Sequence, residues 1–308
     1  MMTTTELTTY IKAEAQRLGF DLCGVARAAA VSPQTALMQN NWIDAGMHAT
    51  MHYLERNCDK RLNPTLLVEG CKSIVSVALN YAPKEQAKGI AAYAQGKDYH
   101  KIIKDKLHLL LKKINEATPC NGRAFCDSAP LLERYWATQA GLGWIGRNRQ
   151  LIIPGKGSYF FLGELLIDIE LEYDTPITDN HCGNCRRCID NCPGKALSND
   201  GLNANNCISY LTIEHRGQLP ENIGEMMGNS FYGCDRCQTI CPHNRFATPN
   251  NTPELQPDAE LLQMTPEKWS ALSKEQYDTL FTGSAVERCG YEQLLRNIAA
   301  SRLNKTDE

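Results

Sequence analysis

Apolar residues recur at helical spacing from the start of the chain. Leu7, Tyr10, Ile11, Ala15 and Leu18 share one face until Gly19 stops the pattern, which predicts an amphipathic helix over residues 4–18. Residues 20–26 then predict a strand. Further strands are predicted at 73–81, 122–126, 151–153 and 159–171, the last two joined as a hairpin across Pro154-Gly155-Lys156-Gly157-Ser158. Ile103, Leu107, Leu110, Leu111 and Ile114 put one apolar face on a helix over 99–117, and another helix falls around 129–141. Residues 1–175 therefore read as an α/β domain.

The pattern breaks at residue 176. Pro176 and Asn180 lead into a stretch with eight of the fourteen cysteines and few apolar residues before Pro242, so metal ligation has to supply folding free energy there. Residues 176–250 read as a ferredoxin-like domain. After Asn251 the chain turns acidic, is broken by Pro253, Pro257 and Pro266, and ends in a helical pattern over 286–302, so residues 251–308 read as a short helical tail.

Composition bounds the rest. The 308 residues are 43% hydrophobic, enough for a real core and for two domains. With 32 Lys+Arg against 35 Asp+Glu, the net charge of −3 gives no global attraction to nucleic acid. No apolar run approaches the roughly 18 residues of a transmembrane helix, and the first 20 residues lack a signal-peptide core, so a cytoplasmic protein without membrane attachment is expected. Disulfides are improbable in that compartment, which leaves metal as the explanation for so many cysteines.

Their spacing says which metal. Cys182-x2-Cys185-x2-Cys188-x3-Cys192-Pro193 is the run in which bacterial ferredoxins give three thiolates to one [4Fe–4S] cube and the fourth to the other. Cys234-x2-Cys237-x3-Cys241-Pro242 repeats it without a leading cysteine, and Cys207 completes the count. The crossover rule assigns Cys182, Cys185, Cys188 and Cys241 to one cluster and Cys192, Cys207, Cys234 and Cys237 to the other. Zinc is the alternative, but zinc sites rarely use these runs with a Cys-Pro on both halves. Cys23, Cys58, Cys71, Cys120, Cys126 and Cys289 have no ligand spacing, and most of them read as buried small hydrophobes.

Gly141-Leu142-Gly143-Trp144-Ile145-Gly146 matches the dinucleotide fingerprint G-x-G-x-x-G, with Asp168 about 20 residues on. That fingerprint follows a strand and opens a helix, whereas here a helix ends at the glycines. A helix C-cap leading into a tight, ligand-approaching loop is the better reading, with Arg147, Asn148 and Arg149 placed to meet phosphate or amide groups.

Two clusters fused to an α/β domain imply a second cofactor or a redox-active substrate. The residues 127–133 (DSAPLLE), the run from Gly141 to Asn148, Phe161-Leu162-Gly163-Glu164, Tyr93-x4-Asp98-Tyr99-His100, Gly283-Ser284-x3-Arg288 and the cysteine arrangement resemble the epoxyqueuosine reductase family over nearly the whole chain. Reductive dehalogenases share the general plan but are typically exported and longer, and no twin-arginine leader is seen here.

The resemblance implies cobalamin in the N-terminal domain, an external low-potential electron donor, a monomer, and reduction of epoxyqueuosine at the wobble position of tRNA. It gives Asp127 as proton donor, although Asp-Ser-Ala-Pro before an apolar run is also a good helix cap. Asp98, Tyr99 and His100, with Arg134, Gly143, Trp144, Arg147 and Asn148, are the cofactor or substrate contacts. A net +5 over residues 84–113 offers local phosphate contacts, while residues 251–308 carry −4. A reductase of a small molecule or an iron–sulfur electron carrier remain the alternatives. Two departures are noted: no C-terminal helical-repeat extension, and His48-Ala49-Thr50-Met51 where the family has His-Gly-Glu-Met.

Overall fold

The computed structural model describes residues 2–303. Helix α1 (Thr4–Arg17) opens on a capping box: Thr3 accepts from the Glu6 N–H, and Glu6 reaches back to the Thr3 N–H at 2.8 Å. There follow β1 (Leu22–Arg27), α2 (Pro33–Asp44), α3 (Cys58–Leu62), β2 (Ser73–Asn80), α4 (Tyr99–Ala117), β3 (Gly122–Phe125), α5 (Glu133–Gln139), β4 (Trp144–Ile145), β5 (Leu151–Ile152) and β6 (Phe160–Ile167). Helix α2 gave no sequence signal because none of its residues is buried, so it has no apolar stripe.

The main sheet has the order β1-β2-β6-β3, and every neighbouring pair is antiparallel. Its two faces are covered by different helices. Val75, Val77, Leu79, Leu165 and Ile167 pack under α1 and α4, whereas Ile74, Ala78, Leu162 and Leu166 meet Trp136, Ala137 and Ala140 of α5 and its cap. Two polar residues break this second face: Ser76 and Glu164, opposite each other in register and both fully buried. The end of α5 approaches β1 so closely that a Cβ on Gly24 would stand 2.0 Å from the Ala140 carbonyl oxygen.

The expected hairpin across residues 154–158 shrinks to a single antiparallel bridge between Ile153 and Gly157, and the flanking strands do not pair with each other. Leu151–Ile152 pairs with Trp144–Ile145, and β6 pairs instead with β2 and β3, far away in sequence. The helix expected over 129–141 is shorter, because Pro130 disfavours helix at the residue before it and Asp127 adopts a left-handed backbone.

The second half is built from α6 (Arg187–Asp190), α7 (Ile208–Ile213), α8 (Ile223–Met227), α9 (Arg236–Thr239), α10 (Ala259–Leu262), α11 (Pro266–Ser270), α12 (Lys274–Phe281) and α13 (Tyr291–Ala300). It has more core than the cysteine count suggested. Ile208, Leu211, Ile223, Met227, Phe231 and Tyr232 share one cluster with Trp269, Phe281, Leu294 and Ile298, and with Ile90 and Ala94 from the first half. The halves are tied through the backbone: Ala91 N donates to Tyr232 O (2.8 Å), Lys97 N to Glu254 O and Asp98 N to Gly283 O (both 2.7 Å). Among the described residues no helix is long and apolar enough to cross a membrane.

Candidate functional site

The eight thiols fall into two groups. Cys182, Cys185, Cys188 and Cys241 line one small cavity with Arg147, Asn148, Ile152, Pro242 and His243. Burial pushes the Cys188 and Cys241 thiols up, and the charges that add to it are Cys182 and Cys241 for the first and Cys182 and Cys185 for the second. Cys234 is pushed up to about 11 by burial, then by Cys207, Asp235 and Cys192; Cys237 is raised by burial, then by Cys234, Cys207 and Cys192. These four thiols are thus each raised by cysteines of their own crossover set. Four mutually repelling thiolates at one place form a donor set that a cationic cluster stabilises. The Cys192 sulfur already accepts from the Ala196 N–H at 3.3 Å.

The glycine loop serves this region. Gly141 (φ +72°) ends α5, and a Cβ on Gly143 would sit 2.2 Å from the Ile152 carbonyl oxygen, so the run after the helix turns into the β4–β5 hairpin rather than cradling a dinucleotide. Arg147 donates to the Cys185 carbonyl at 2.6 Å and Asn148 to the Cys237 carbonyl at 3.2 Å, so the amide partners expected of these residues are main-chain groups of the cysteine loops. Trp144 is buried edge-on between His181 and His243, at 4.8 and 5.0 Å. Gly143, Trp144, Arg147 and Asn148 therefore stand beside the Cys182 group. Arg134 is exposed on α5.

A second site gathers at Asp127. Its backbone lies at φ +49°, a region that non-glycine residues seldom adopt, and its side chain is exposed. It caps nothing: α5 starts six residues later and has no side-chain cap. The Tyr99 hydroxyl donates to Asp127 Oδ2 at 2.5 Å, and the Asp127 N–H donates to Glu133 Oε1 at 2.6 Å. Tyr99 stacks on Phe161 at 4.1 Å with the rings nearly parallel. Asp98 is the cap of α4, accepting from the His100 N–H (2.9 Å) and lying 2.6 Å from His100 Nδ1. Thus Asp98, Tyr99 and His100 are brought to the Asp127 loop.

Sequence reasoning missed several members of this site. Glu133 and Glu164 stood in quoted motifs without a role, and both carry carboxyls raised well above the ordinary range, by burial first and then by neighbouring carboxyls. Tyr53 is raised by burial and by Glu214, with Asp127 adding, and Arg288 pairs with both oxygens of Glu214 at 2.5 and 3.0 Å. Only the acidic-aromatic character of these segments could have hinted at them, since their partners lie 74 residues apart for the ion pair. His48, from the departing loop, is buried with its Nε2 2.6 Å from Glu55, while Thr50 and Tyr210 join hydroxyls at 2.7 Å.

A mixed α/β layer carrying a carboxyl site, joined to a module with two thiolate quartets, defines an iron–sulfur oxidoreductase of the double-cluster class. The model described as "4Fe-4S double cluster binding domain" matches residues 181–244, so two [4Fe–4S] clusters belong to this chain, and "Epoxyqueuosine reductase QueG, DUF1730" matches residues 61–128. Epoxyqueuosine reductases of Cyclobacterium marinum (42% identical, 97% of each chain covered) and Leadbetterella byssophila (44%, 94% of this chain and 96% of that one) are similar throughout. The protein belongs to the epoxyqueuosine reductase family. Among solved structures, an epoxyqueuosine reductase with an epoxyqueuosine-modified tRNA-Tyr stem loop superposes at TM-score 0.88 (30% identity, 97% of this chain, 82% of that one). A Bacillus subtilis relative, described with its catalytic aspartate loop swung out of the active site, gives 0.88 at 29% identity over the same shares.

Proposed function

We propose that the protein reduces epoxyqueuosine to queuosine at the wobble position of tRNA, with an external low-potential donor feeding two clusters and a cobalamin, and Asp127 as proton donor. The relative solved with a modified stem loop and the relative described by its catalytic aspartate loop support this reading. Eight thiols in two groups supply the cluster ligands. Turning an epoxide into an alkene and water takes two electrons and two protons.

Cobalamin, when bound, supplies a low-potential cobalt centre that couples one-electron carriers to two-electron chemistry at carbon. The groups around Asp127 fit such a ligand. Asp127 stands exposed, Gly283 opens on empty space where a side chain would otherwise stand, and the Asp98–His100 pair and Tyr53 offer polar contacts for amide-bearing edges. Tyr99 fixes the Asp127 carboxyl by its hydroxyl, and the Glu133 bond to the Asp127 N–H fixes the loop. For tRNA, Lys84, Lys88, Lys97, Lys104 and Lys112 form no ion pair among the described residues, unlike Lys101 with Asp105 and Lys113 with Glu116. So few phosphate contacts make binding moderate and salt-sensitive.

One observation carries the proposal: an exposed aspartate in a costly backbone conformation, its carboxyl held by Tyr99 and its N–H by Glu133, capping no helix. Asp127→Asn, reconstituted with iron, sulfide and cobalamin, should keep the cofactor spectra and lose about 100-fold or more in turnover of an epoxyqueuosine stem loop. Undiminished turnover would remove Asp127 from the mechanism.

A further inference from the structure

The polar group buried most deeply beside this site is Glu164. It lies on the central strand β6 with no exposed surface, and neither of its oxygens receives a hydrogen from any N–H or hydroxyl among the described residues. Ser76, opposite it on β2, is partnerless too. The carboxyl that acts on it from α5 is Glu133, and Glu164 is in turn the first charge that raises Glu133. Two carboxylates only accept, so this contact is a bond only when one of the pair keeps a proton.

Glu133 in turn touches Asp127: its Oε1 accepts from the Asp127 N–H at 2.6 Å, and the Asp127 charge raises it further. Asp127 is the group bonded to Tyr99. A line of acids thus runs from the centre of the sheet to the exposed loop. The groups facing it are Asp127 and Cys126 from the loop after β3, Tyr99 and Lys104 from α4, and Ser76 from β2. Cys126 is raised by burial and by these same carboxyls, and Lys104 is the cation among them. Full ionisation of both glutamates would leave the buried Glu164 charge beside a second, partly buried one with no bonded cation, a state costing several kcal/mol.

We propose that Glu133 and the buried Glu164 are an acid pair sharing one proton, which passes to Asp127 after that residue has donated its own, so that both protons of a turnover come from the protein. The inference rests on Asp127 being the donor. Epoxide reduction places two protons on the departing oxygen, and Asp127 holds one. In the second transfer the Glu133 O–H bond breaks as an O–H bond forms on Asp127; the pair, left doubly charged, recovers its proton from solvent through Asp127 once the product leaves. Burial, with Glu164 and Asp127 acting on Glu133 and Asp127 acting on Glu164, raises both glutamates well above their usual range, the direction that favours a proton held on the pair.

The test uses Glu164→Gln and Glu133→Gln in cluster-loaded, cobalamin-reconstituted protein. Each keeps the size and a hydrogen bond but cannot share a proton. Infrared difference spectra at neutral pH, wild type minus variant, should show a protonated-carboxyl C=O band that moves in heavy water. Turnover of the stem loop should fall on the order of 10- to 100-fold with KM unchanged, and should decline as pH rises in the variants only. If Asp127→Asn is inactive but both glutamine variants match wild type in rate and pH profile, or the band is missing, the proton store is refuted and the donor stands. If Asp127→Asn is active, both fall. Loss of the clusters from both glutamine variants would make the pair a structural element and overturn the proposal as well.

Discussion

Trp269 offers the sharpest test of how the second half is held together. Its indole is 1% exposed, lies 4.9 Å from Phe231 in an edge-to-face contact and 6.2 Å from Phe281, and its Nε1 has no hydrogen-bond partner among the described residues. A buried indole removes about 200 Å² from water, worth roughly 5 kcal/mol at about 25 cal/mol per Å². Truncations of this kind cost about 3–5 kcal/mol once the cavity partly relaxes. Trp269→Ala should therefore lose about 3–5 kcal/mol. Trp269→Phe should lose no more than about 1–2, because removing an unsatisfied buried N–H returns part of the lost contact. Phe231 and Tyr232 run directly into Gly233 and Cys234, so the damage should reach the cluster loop. Anaerobic denaturant titration followed by both far-UV circular dichroism and cluster absorbance measures this. A Trp269→Ala loss below about 1 kcal/mol, or cluster absorbance that stays while helicity goes, would refute a shared core.

Three further outcomes are expected. Cys188→Ser and Cys241→Ser should perturb the same cluster signal in electron paramagnetic resonance and Cys192→Ser and Cys237→Ser the other; a Cys241 variant that mimics Cys237 would break the crossed assignment. In the loaded protein, iodoacetamide at about pH 8 should spare Cys23 and Cys289, pushed up to about 12 by burial, and Cys71 and Cys120, pushed up to about 11, while modifying half-buried Cys58 first; mass spectrometry showing Cys23 reacting as fast as Cys58 would contradict this. Because Glu164 is raised above its ordinary 4.5, the folded state binds more protons than the unfolded one above that pH, so stability falls as pH rises from about 4.5. Glu164→Gln should flatten that fall and melt later than wild type at about pH 8, by about 1–3 kcal/mol; an unchanged slope of melting temperature against pH would argue against a raised carboxyl.

What the sequence made legible was whatever is written locally. Helix α4 was readable because Ile103, Leu107, Leu110 and Ile114 are the residues it buries, and the cysteine runs because cluster ligation demands fixed spacing. The β5–β6 hairpin was misread because a Pro-Gly-Lys-Gly loop looks the same whether the flanking strands pair with each other or, as here, with β4, β2 and β3. Helix α2 has no stripe to read. At the site, Asp127 looked like a cap until its backbone took the left-handed region and α5 began at Glu133 instead. Tyr99, Glu133 and Glu164 stood in quoted stretches, but their meeting is a product of tertiary packing: 28 residues separate Tyr99 from Asp127. The second half looked poor in hydrophobes because its core residues lie between the cysteine runs and in the C-terminal helices that close over them.

The two backbone bonds from Lys97 to Glu254 and from Asp98 to Gly283 place the start of α4 and the C-terminal helices on one thermodynamic linkage. Opening α12 and the turn after it releases the residues that aim Tyr99 at Asp127, and any ligand that requires Tyr99 and Asp127 in place resists that opening by the same free energy. Occupancy of the carboxyl site and slow exchange of the Lys97 and Asp98 amides are then reciprocal readings of one equilibrium. A substitution inside α12, at buried Phe281 for instance, then changes affinity at the site through this linkage alone.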